Sequence, residues 1–159
     1  MRPHRWAAAA EPRDLGAVVH GPVVLARATG VVAGLRCVFA HADGLSLPFV
    51  LRAEGVQAEA AARQSFSGHV PLDEFGPGTW SEPVVAIGVD GDEGLADPSQ
   101  SSGSGGEDAF DLDATYWVDR LPTDGRLTVT VSWPQAGLPL TRTELELAAW
   151  TPQDVLPLL

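Results

Sequence analysis

Lysine is absent from the sequence, and cysteine, methionine and tyrosine occur once each. A lone Cys37 cannot close an intrachain disulfide, so nothing in the chain demands an oxidising compartment. No apolar run approaches the ~18 residues that cross a bilayer. The N-terminal stretch MRPHRWAAAAEPRD has the arginines of a signal peptide, but Glu11, Pro12 and Arg13 interrupt its apolar part. A cytoplasmic location is the expectation. Basic residues are scarce too. Ten arginines face 21 acids, a formal net charge of −11, which repels phosphate backbones and anionic headgroups at long range. Nucleic acid and membrane surfaces are therefore disfavoured as partners. Arginine-only usage beside abundant Ala, Gly and Pro is what GC-rich codons produce, and by itself it carries no chemistry.

The 159 residues suffice for one compact domain, 1–159, and not for two full cores. A chain of this mass buries roughly 69% of its surface on folding, so it needs no staple. Residues 1–14 read as a flexible N-terminus. Beyond them the dominant local signal is period-two alternation. Leu127, Val129, Val131 and Trp133 alternate with Arg126, Thr128, Thr130 and Ser132, the pattern of a strand with one face in the core and one in water. Leu112–Val118 and Leu140–Ala149 behave similarly. The turn Leu121–Gly125 (LPTDG) between the first two of these strands reads as the clearest hairpin in the chain. Earlier, Val18–Ala28 and Val31–Ala40 are joined by Thr29-Gly30, with Val31, Ala33, Leu35, Cys37 and Phe39 sharing the inward face. His41–Gly44 turns the chain into Leu45–Ala53, where Pro48 signals an edge or a bulge. Glu82–Val89 is a further strand. Gly55–Gln64 dissents: it is alanine-rich and sets Glu59 four residues before Arg63, the favourable helix order.

About seven short strands with turns between most of them predict an all-β fold, an antiparallel β-sandwich. The stretch 90–110 breaks the rhythm. Its core, Pro98–Gly106, has no apolar residue and reads as a flexible Gly/Ser-rich acidic loop outside the core.

No catalytic motif emerges. His4, His20, His41 and His69 lie 16, 21 and 28 residues apart, which matches no zinc pattern. Cys37 beside His41 is a poor nucleophile pair, because an apolar strand face disfavours the thiolate. Asp90, Asp92, Glu93 and Asp97 invite a calcium reading, yet Ser101 stands where an EF-hand loop needs its glutamate. No metal and no cofactor is expected. Among the five tryptophans, Trp133 is in phase with the core. Trp117 is out of phase with Leu112, Ala114, Tyr116 and Val118, so either a second layer covers it or it is an exposed aromatic. Exposed, it would stack on sugars or anchor a protein. With Trp80 and with Asp113, which shares its strand face, it forms the candidate binding set.

The stretch Tyr116–Leu147, YWVDRLPTDGRLTVTVSWPQAGLPLTRTELEL, resembles the signature of a family of small hypothetical proteins abundant in actinobacteria. That signature has an aromatic strand, a proline-rich turn, a strand ending in Trp-Pro, an Ala-Gly-Ile-Pro link and a strand with alternating acids. Here Thr123, Asp124 and Arg126 replace prolines of the turn, and the family's long helical tail is reduced to Trp150–Leu159. The resemblance implies the fold and leaves the function open. The expectation is a non-catalytic binding or protein-interaction module. The alternatives are a carbohydrate-binding module using Trp117 and Trp80, or a small carboxylate-based enzyme.

Overall fold

The computed structural model describes residues 4–6, 14–67, 83–105 and 108–158. Among them the chain runs through β1 (His4–Arg5), β2 (Ala17–His20), β3 (Val23–Ala28), β4 (Val31–Leu35), β5 (Val38–His41), β6 (Gly44–Glu54) and α1 (Gly55–Ser67). It continues through β7 (Val84–Val89), β8 (Asp92–Ala96), β9 (Pro98–Gly105), β10 (Ala109–Val118), β11 (Arg126–Trp133) and β12 (Leu138–Glu146). The fold is all-β and sandwich-like. One sheet has the order β1-β8-β7-β11-β12, and the other has β2-β5-β6-β10-β9 with β4 on β6 and β3 on β4. Every pairing is antiparallel except β1 with β8.

Alternation places the core as expected. Leu127, Val129, Val131 and Trp133 from one sheet meet Leu45, Leu47, Phe49 and Leu51 from the other, all buried. Trp133 and Phe110 join the two sheets edge to face, with ring centroids 5.9 Å apart. The alanine-rich segment is helical, with Ala58 and Ala61 buried and Glu59 paired to Arg63 at 2.8 Å. It packs against the 3-10 turn Pro134–Ala136 and against β6 and β10.

Several expectations are corrected. The turn Leu121–Gly125 is no hairpin: β10 pairs with β6 and β9 while β11 pairs with β7 and β12, so this link crosses between sheets. Thr123 fastens it to the first residue after β7, donating both its N–H and its hydroxyl to Asp90 Oδ1 at 2.9 Å. Up to residue 105, the stretch 90–110 forms two strands, β8 and β9, in place of the expected flexible loop. Asp90 and Gly91 both have positive φ, 52° and 84°, and Val89 faces Asp92, the two-residue hairpin that Asp-Gly favours. β9 then pairs with β10 from Gly105–Phe110 to Pro98–Tyr116. This polar strand needs no burial of its own, because at a sheet edge the backbone ladder holds it. The N-terminus is docked where it is described: Trp6 is buried and donates Nε1–H to the Ile87 carbonyl at 2.9 Å. Of the two readings of Pro48, the edge fails and the bulge holds: between the pairs Leu35–Phe49 and Phe39–Ser46 the facing chain has one extra residue, and the Pro48 carbonyl accepts the Arg36 N–H at 3.0 Å. No described helix is long and apolar enough to cross a membrane.

Candidate functional site

The outer face of the seven-stranded sheet owes its composition to a break at Arg36 and Cys37. Inward residues of β4 are Val31, Ala33 and Leu35, but those of β5 are Val38 and Ala40. The phase slips by one residue, and a one-residue slip turns every following side chain to the other face. Cys37 and Phe39, expected inward, are therefore half-buried and outward, and burial pushes the Cys37 thiol pKa up. His41 follows in the same phase.

There His41 meets two groups remote in sequence. Its ring lies 5.8 Å from that of Trp117, and its Nδ1 is 2.5 Å from Asp14 Oδ1. At 5% exposure it is the buried polar residue among those described. Burial opposes ionisation of Asp14, but hydrogen bonds and charge from His41 and the N–H groups of Ala42 and Gly16 overcome it, holding the carboxyl below its ordinary range. His41 Nδ1 is the ring atom that meets the Asp14 carboxylate. Among the described residues no serine, threonine or cysteine hydrogen-bonds to His41.

Trp117 is not an exposed aromatic. Only 3% of it is accessible, because Gly44 beside it has no side chain: a Cβ there would come within 2.6 Å of the indole. The open expectation thus resolves toward cover, which leaves no ring face for a sugar. Asp113, four residues along β10, is exposed and bound to Arg52 Nη1 at 2.8 Å, while Arg52 Nε reaches Asp111 at 3.3 Å. Trp117 and Asp113 share a face but lie about 13 Å apart along the strand and form no common site. Trp80 and His69 fall outside the described residues. His20 is hydrogen-bonded to the Gly21 carbonyl.

The acids considered for calcium have separate partners. Asp90 binds Thr123, whose N–H holds its carboxyl below the usual range; Asp92 binds Arg120, Glu93 binds Arg142, and Asp97 binds Arg5. Among the described residues no three metal-ligating side chains come together.

The arginines divide sharply. Arg5, Arg52, Arg63, Arg120, Arg126 and Arg142 each reach a carboxylate, whereas Arg27 and Arg36 reach none among the described residues. Both are exposed on the outer face of the seven-stranded sheet. Two shallow depressions open on that face. One, of about 390 Å³, is edged by Arg36, Pro48, Val50 and Thr115; the other, of about 310 Å³, by Arg27, Val32, Arg52 and Glu54. Val18 and Val24, 63% and 50% exposed, stand on the same face, opposite Phe39 and Gly34 in the ladder.

Fold and face together define a two-sheet β-sandwich with one open surface of mixed valine and arginine character. Comparison with known protein families, with curated proteins and with solved structures finds no match. The family resemblance of Tyr116–Leu147 accordingly rests on those residues alone.

Proposed function

We propose that the chain is a non-catalytic module that binds a protein partner through the outer face of its seven-stranded sheet. One observation carries this reading: Val18 and Val24 are exposed beside Arg27 and Arg36, the two described arginines without a carboxylate. Apolar side chains next to arginine are the composition that interface centres favour. The outer face of the other sheet makes the contrast. It also exposes Val84 and Leu140, but its arginines, Arg126 and Arg142, are already bound to Glu144 and Glu93. The burial of Trp117 speaks against sugar stacking, and the separate partners of Asp90, Asp92, Glu93 and Asp97 speak against a shared carboxylate site there. A net charge of −11 supports a partner other than a polyanion or an anionic membrane. The same reading places the module in the cytoplasm, where a lone thiol stays reduced.

A photoreactive amino acid placed at Val24, and separately at Val84, tests the reading in lysate of the source cells. A defined adduct from position 24 and none from position 84 is expected. Equal adducts from both positions, or none from position 24, would overturn it.

A further inference from the structure

Arg27 pairs across the ladder with Val32, and Val24 with Gly34. Arg36 follows two residues later on the chain of β4, its backbone still bound to Pro48. At ~3.3 Å per residue, the Val32 and Arg36 positions lie about 13 Å apart along the strand direction. The half-exposed Val24 stands between them. The remaining arginine of this face, Arg52, is held on two sides by Asp111 and Asp113, so the unsatisfied positive charge is confined to Arg27 and Arg36.

An extended chain turns every second side chain to the same face and advances about 13 Å in four residues. From this match we infer that the face takes an extended acidic segment of a partner protein, with carboxylates at positions i and i+4 and an apolar residue at i+2. The carboxylates would reach Arg36 and Arg27, and the central residue would lie on Val24. This rests on the interaction reading above and adds the chemistry of the partner. The chain's own negative charge does not forbid it. A nucleic acid meets the field of the whole molecule, whereas two carboxylates at physiological salt respond to charges within about 8 Å. Of the acids of this face, Asp111 and Asp113 are bound to Arg52, while Glu54 edges the Arg27 depression without an arginine of its own among the described residues, so the Arg36 end is the stronger carboxylate position.

The test uses the full chain and fluorescein-labelled peptides read by anisotropy. One peptide carries a Glu-Ser-Val-Ser-Glu centre in a Gly/Ser frame, a second replaces both Glu by Gln, and a third places the two Glu side by side. An exposed ion pair contributes roughly a threefold gain in affinity, so the first peptide should bind about tenfold more tightly than the Gln peptide. It should also bind more tightly than the third. The double variant R27Q/R36Q should remove the preference, and Arg63→Gln, on the helix, should keep it. Equal binding of the Glu and Gln peptides, or an unchanged preference in R27Q/R36Q, would overturn the acidic segment. So would self-association of the chain that the double variant abolishes, since the face would then be an interface between copies. Loss of the peptide result with a surviving adduct at position 24 rejects the acidic partner alone; loss of both rejects the interaction reading as well.

Discussion

Replacing Trp117 by alanine probes how a side chain of the wrong alternation phase becomes part of the framework. The indole is 97% inaccessible on the outer face of its sheet, between the His41 ring and the backbone of Gly44. A buried tryptophan removes about 200 Å² from water, worth about 5 kcal/mol at ~25 cal/mol per Å². An extended reference chain makes that an upper figure. Truncation also opens one side of the Asp14–His41 pair to water. A loss of about 3–5 kcal/mol follows, the range of large core truncations, and comparable to that of Trp133→Ala in the central core. Alternation alone gives a different expectation, a clear asymmetry between the two with Trp117 much the cheaper. Urea denaturation of both variants, followed by circular dichroism, separates the two expectations. A loss below about 1 kcal/mol for Trp117→Ala would refute the packing argument.

Three other outcomes follow from the same contacts. Against the cost of burial, hydrogen bonds and charge from His41 hold the Asp14 carboxyl below its ordinary range, so its contribution is fully present above the unfolded value and is lost as pH falls through the lowered folded one; Asp14→Asn should cost about 1–2 kcal/mol at neutral pH and flatten the acid limb of a stability-against-pH curve. Deleting Ser99–Gly105 should cost about 1–3 kcal/mol through lost ladder bonds and expose the β10 edge to self-association, which thermal melting with light scattering would register. Because Asp90, Asp92, Glu93 and Asp97 have separate partners, calorimetry should detect no micromolar calcium binding, and a measured micromolar affinity would contradict that geometry.

How legible the fold was depends on what each signal reports. Alternation reports burial, so the strands with one apolar face, Arg126–Trp133 and Leu45–Ala53, stand out in the sequence. It is blind to strands held by their backbone alone. Pro98–Gly105 buries no apolar side chain, and composition alone makes it a loop, although Asp90-Gly91 between Val89 and Asp92 already carried a hairpin signal. Turn chemistry reports local bending and not sheet membership, which is why Leu121–Gly125 looks like a hairpin and in fact carries the chain from one sheet to the other. The Arg36–Cys37 slip has no marker in its own residues; its sign is Pro48, across the ladder. The slip moves Cys37, Phe39 and His41 to the outer face and so creates the His41–Trp117 contact. Asp14 reaches His41 across 27 positions, a distance over which no spacing rule speaks. The unpaired arginines become visible only when every other described arginine has been given its carboxylate.

The central claim, that the outer face of the seven-stranded sheet is the binding surface, is tested most directly by amide chemical-shift mapping. The isotopically labelled chain would be titrated with the Glu-Ser-Val-Ser-Glu peptide. Shifts confined to Val24, Arg27, Val32, Arg36 and their ladder neighbours on β6 are the predicted result. Shifts centred on Thr128, Arg142 or Val84, on the opposite sheet, would contradict it.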